Sequence, residues 1–132
     1  MRLFVDVGTW DELTVDQRPA VRITASDLAQ ARRISSGIRS DNDRVSVILD
    51  VTVAVAGDFR SARRGLEVAG ADAAVGYVGT TDGLVGLLAD IESAGVADGV
   101  TLLSAVVGQD LHALGSDVLR RLELRNQTRR AS

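Results

Sequence analysis

The chain of 132 residues contains no cysteine, which excludes a disulfide scaffold and thiolate chemistry. It contains no lysine either, so every basic residue is an arginine. A phosphate-loop lysine, a Schiff base and a receiver-domain lysine are thereby excluded. His112 is the single histidine, too few for a zinc or multi-histidine centre, and no metal site is expected. Aromatic residues make up only 3%, so a core has to be built from Val, Leu, Ile and Ala. One proline against 13 glycines points to short glycine turns. No segment reaches the roughly 18 consecutive apolar residues a membrane span needs. Asp6 interrupts the N-terminal apolar stretch too early for a secretion signal. A cytoplasmic protein is expected, with no membrane partner.

What is present fits one compact α/β domain, since 45% of the residues are hydrophobic. The net charge of −3 argues against a nucleic-acid partner. Arg120, Arg121, Arg125, Arg129 and Arg130 form one basic cluster, which reads as a solvated helix end whose cations favour the helix dipole. Alternating or β-branched runs predict strands at Leu3–Val7, Val21–Ala25, Val45–Ala56 and Val100–Leu103. Helical patterns cover Ser26 or Asp27 to about Arg39, then Phe59–Ala69, Thr80–Ala94 and Leu111–Arg125. Residues 1–20 read as a short strand and an irregular loop, 21–125 as the α/β body, and 126–132 as a flexible tail.

The strands have unlike faces. In the long one, Val45, Val47, Leu49, Val51, Val53 and Val55 share one face, while Ser46, Ile48, Asp50, Thr52 and Ala54 share the other. Val21 and Ile23 oppose Arg22 and Thr24 in the same way, and Thr101 is the polar residue of the last strand. A sheet covered by helices on both sides would be apolar on both. The expected architecture is therefore about four strands with helices on one face and a half-polar face left over.

The stretch VGTTDGLVGLLADIESAG, beginning at Val78, shows how a strand ends in glycine and a helix begins. A threonine at 80 or 81 caps it, Asp82 suits the positive end of the dipole, and Leu84, Leu87, Leu88 and Ile91 form the buried stripe. Gly95 marks the exit. The same start has the geometry to bind a phosphate, with Gly79 permitting close approach, but no dinucleotide fingerprint occurs. Asp50 is the weak catalytic candidate, since a carboxylate inside an apolar strand can serve as a general base. Its other reading is an ion pair with Arg22 on the next strand. His112 reads as a proton shuttle or a helix-start residue, and Asp6 as a site residue at a strand end or a turn residue.

The run YVGTTDGLVGLLADIESAGVADGVTLL, followed by DLHALGSDVLRRLELR, resembles the C-terminal part of the bacterial luciferase-like monooxygenases. There a G-T-P-D/E helix start leads to a leucine stripe, an A-G-V-D-G turn and the last strand. Upstream, VRITASDLAQARRISSGIRSDNDRVSVILDVTVAVAGD is similar to a strand–helix–strand stretch of that family. The likeness spans about Val21 to Arg125, roughly the last third of a (β/α)8 barrel. The first five strands have no counterpart, and GTTD stands where the family has GTPD. The resemblance implies a partial barrel, completed by homodimerisation or by a larger family member that covers the Arg22, Asp50 and Thr52 face. It implies a flavin-dependent oxidoreductase or monooxygenase binding FMN or a deazaflavin, or else a non-catalytic accessory subunit of such a system. Gly79 and Thr80 would lie at the barrel mouth. Trp10 would stack on the isoalloxazine or cover an exposed apolar edge.

Overall fold

The computed structural model describes residues 1–56 and 75–131. Its strands are β1 (Arg2–Asp6), β2 (Trp10–Glu12), β3 (Ala20–Ile23), β4 (Ser46–Val55), β5 (Gly76–Gly79) and β6 (Gly99–Ser104); its helices are α1 (Leu28–Asp41), α2 (Thr81–Ser93) and α3 (Leu111–Ala131). The strands make one curled mixed sheet in the order β2-β1-β6-β4-β3, with β5 also paired to β4. Among the described strands only β2 runs antiparallel, against β1. β4 is long enough to hold β3 along Ser46–Leu49 and β5 along Thr52–Val55. The helix expected over Phe59–Ala69 lies outside the described residues.

The β-branched alternation of β4 places Val47, Leu49, Val51 and Val53 in the core, each fully buried. Leu3 and Val5 of β1 and Val100 and Leu102 of β6 continue that apolar layer. Against it α2 lays Leu84, Val85, Leu88 and Ile91, and α3 lays Leu111 and Val118. In α1 the periodic apolar residues Leu28, Ala31, Ile34 and Ile38 predict one buried face, and the structure modifies it. Leu28 is exposed, and Ser35, one turn after Ala31, is fully buried. Its hydroxyl donates to the Val96 carbonyl at 2.6 Å, which satisfies the polar group inside the core.

The helix ends follow the local chemistry. Asp27 accepts from the Gln30 amide at 2.7 Å and starts α1. Thr80 accepts from the Gly83 amide and starts α2. At the other end of α2, Gly95 has φ +69°, and the Val96 amide reaches back to Ile91 O at 3.0 Å. This left-handed glycine stop satisfies carbonyls of the last turn. Asp110 accepts from the Ala113 amide at the start of α3. That helix continues to Ala131, past the expected end at Arg125 and through most of the segment read as a tail.

β2 forms inside the segment read as irregular. β5, GYVG, is the strand expected to end in glycine ahead of α2. Among the described residues the sheet has six strands, against about four expected. Leu49→Ala should remove about 3 kcal/mol of stability through lost burial and a residual cavity. A urea titration checks this, and an unchanged midpoint would show that the core is not packed around β4 as described.

Candidate functional site

Strand register gathers the polar residues into rows on the face away from the helices. Phe4 pairs with Glu12 on one side and Thr101 on the other. Thr101 in turn pairs with Asp50. Glu12, Phe4, Thr101 and Asp50 thus form one line across four strands. Trp10 and Asp6 form a second, shorter line above it.

Arg22 joins the two flanks of this face. Its Nε donates to Asp50 Oδ1 at 2.7 Å, and its Nη1 donates to Asp6 Oδ2 at 2.8 Å. Thr24 adds a hydroxyl to Asp50 Oδ2 at 3.2 Å. The Asp50 side chain is 14% exposed, and the Arg22 side chain 29%. Asp50 is consequently held as an ion-paired partner of Arg22, the plainer of its two readings.

The Trp10 ring lies flat on Phe4, with centroids 4.4 Å apart and planes within 13°. The Arg22 guanidinium sits over the same indole at 5.7 Å from its centroid. Trp10 Nε1 donates to Thr101 Oγ1 at 2.8 Å, and Thr101 is fully buried. One indole therefore uses its faces and its N–H within the protein. At the other end of this face, Arg2 grips Glu12 with two hydrogen bonds of 2.8 and 2.7 Å. The same guanidinium donates to Arg18 O at 2.9 Å and lies over the Phe4 ring. Arg2 is 8% exposed, an unusual burial for arginine that these partners compensate.

Gly79 and Thr80 lie at the opposite flank, at the end of β5. The Tyr77 hydroxyl donates to Thr80 O at 2.9 Å. A Cβ on Gly79, whose φ is +156°, would come within 2.5 Å of that hydroxyl. The space beside Gly79 is thus filled by Tyr77, and the Thr80 hydroxyl serves as the helix cap. His112 Nε2 stands 3.8 Å from Asp11 Oδ2, with both side chains half exposed. In the basic cluster, Arg120 pairs with Asp117, and Arg121 pairs with Asp117 and Asp82. Among the described residues, no group of three or more His, Cys, Asp or Glu could hold a metal ion. No helix there is long and apolar enough to cross a membrane.

No model of a known protein family matches the chain, and no curated protein matches it.

Sequence reasoning pairs Arg22 with Asp50 from their places on adjacent strands. It misses Asp6 as the second partner and the buried Arg2–Glu12 pair. The signal for the latter is present: Arg2 and Glu12 occupy the same parity around a glycine turn, as partners on one hairpin face do.

The Gly8 amide, followed by Arg22, holds the Asp6 carboxyl below its ordinary 3.8. Arg2, aided by Thr14, holds Glu12 below its ordinary 4.5. Depressed folded-state values mean that this stabilisation is complete above the ordinary values. It is lost as pH falls through them toward the lower folded values. Stability should be level from pH 7 to about 5.5 and decline below about 4.5, less steeply in Asp6→Asn/Glu12→Gln. A decline equally steep in that double variant, followed by urea midpoints, would count against both ion pairs.

Proposed function

We propose that the chain is a luciferase-like partial barrel that acts as a non-catalytic accessory or interaction subunit of a flavin monooxygenase system. The observation that carries this reading is the occupancy of the inner face. Arg22 is committed to Asp50 and Asp6, and Trp10 to Phe4, Thr101 and Arg22. A general base or a cofactor ring would have to displace these contacts. The likeness in the C-terminal segments is supported by strand order. β3, β4 and β6 are parallel neighbours in chain order, and the first strand, β1, lies parallel beside the last, β6. Successive neighbours that close from last to first are the order of a (β/α) barrel. β5 is then an additional short strand at the end of β4.

The partnering reading rests on the edges. Among the described residues β2 and β3 terminate the strand order on its two sides, and open edges invite another chain. A second copy, or a larger relative, would complete the sheet there. A second reading rests on the concave face at and below the ends of the parallel strands, where Asp6, Thr24, Asp50 and Thr52 remain partly accessible. Such ends are where parallel α/β proteins collect ligands. In that reading a dimer binds FMN or a deazaflavin and the flavin supplies the redox chemistry.

Two measurements separate the readings. Titration with FMN, followed by flavin fluorescence, should show no saturation up to about 1 mM, an affinity worth only ~4 kcal/mol. Light scattering should show a dimer at micromolar concentration. Saturable micromolar flavin binding would replace the accessory reading with the redox one, and a folded monomer would remove the homodimer.

A further inference from the structure

A cavity of about 450 Å³ opens at the N-terminal ends of the parallel strands, the end opposite to Asp6 and Thr24. Arg2 and Ser46 begin β1 and β4, and Asp98 immediately precedes β6; Thr14, Asp16 and Arg18 come from the loop between β2 and β3. Ser46 lies on the half-polar face with Asp50 and is only 3% exposed. Its amide donates to Pro19 O at 2.8 Å, but its hydroxyl has no hydrogen-bond partner among the described residues. No buried side-chain oxygen there is sealed off without a partner, so this hydroxyl opens onto the cavity it lines. A hydroxyl so placed is costly unless the contents of the cavity satisfy it.

The loop that forms the cavity wall is fixed in place. Arg2, whose charge Glu12 neutralises, donates to the carbonyls of Arg18 at 2.9 Å and Asp16 at 3.4 Å. Thr14 Oγ1 accepts from the Leu3 amide at 3.1 Å. Asp16 Oδ1 accepts from the Arg18 amide at 2.8 Å, which leaves Oδ2 and the Arg18 guanidinium without partners among the described residues. Asp98 is already met by Arg39 and by the Val47 amide. The wall thus offers one uncommitted cation, one uncommitted carboxylate oxygen and one hydroxyl. A simple anion would face Asp16 and Asp98, and a simple cation would face Arg2 and Arg18. A ligand carrying both charges meets a complement for each.

We propose that this cavity binds a small zwitterion of the α-amino acid type. The Arg18 guanidinium and the Ser46 hydroxyl donate to its carboxylate, and Asp16 accepts from its ammonium. Because Arg2 holds the wall in advance, little ordering accompanies binding. The inference is independent of the barrel relationship and of any flavin.

L-alanine is the probe, with propionate and ethylamine as its halves: the first lacks the ammonium, the second the carboxylate. In the 15N-labelled full chain, L-alanine should shift the Ser46 and Arg18 amide resonances saturably, with half-saturation below about 10 mM. Propionate and ethylamine should each bind about tenfold or more weakly, having lost one charged contact. Arg18→Gln, at an exposed position, should weaken L-alanine about tenfold. Ser46→Ala should weaken it about three- to tenfold and leave the urea midpoint unchanged, since the hydroxyl serves no protein partner. No saturation by about 50 mM L-alanine would overturn the proposal and leave the cavity to water. Propionate binding as tightly as L-alanine would overturn it in favour of a plain anion site, and unchanged binding in Arg18→Gln would overturn it as well. If Ser46→Ala does not fold, the half-ligands and Arg18→Gln decide.

Discussion

The inner face is organised by one guanidinium. On a flat sheet, three strand steps of about 4.8 Å would put β3 and β1 roughly 14 Å apart, beyond the reach of one arginine and one aspartate. Arg22 on β3 nevertheless contacts Asp6 on β1 at 2.8 Å while it contacts Asp50 on β4 at 2.7 Å. The sheet must therefore curl until its flanks approach, and the Arg22 pairs hold that curl. The helices pack on the convex, apolar side. The concave side is narrowed enough for Trp10 to roof Phe4 and Thr101.

That curl explains why a sheet with only one helix-covered face does not leave a broad polar surface. Arg2 and Arg22 each neutralise acidic partners on the concave side, and both lie over aromatic rings. Charged groups removed from water need such full pairing. The result, among the described residues, is a concave face filled by paired side chains of β1, β2, β3, β4 and β6. Chemistry or ligand binding on this face would have to break its ion pairs or move its indole.

The parts legible in the sequence were those governed by local rules. The valine alternation of β4, the two helix caps and the Gly95 stop depend on neighbours a few residues away; the first and last lie where expected, and the structure chooses Asp27 over Ser26 and Thr80 over Thr81 as caps. β2 was not legible, since Trp-Asp-Glu has little intrinsic strand character and is held by Arg2 and Phe4 from β1. β5, half glycine, is likewise fixed by pairing to β4. The Arg22–Asp50 pair could be read from adjacent positions on neighbouring strands. Its extension to Asp6 depends on curvature, which residue periodicity does not encode. The sequence shows the stacking surface of Trp10, but its N–H partner Thr101 lies too far along the chain to be inferred.

A double-mutant cycle between Arg22→Met and Asp6→Asn tests the curl most directly, because the two residues belong to strands that are not neighbours. Contact across the concave face predicts a coupling of about 0.5–1.5 kcal/mol in unfolding free energy. Additivity within about 0.3 kcal/mol would contradict it, leaving a flatter sheet with an open face.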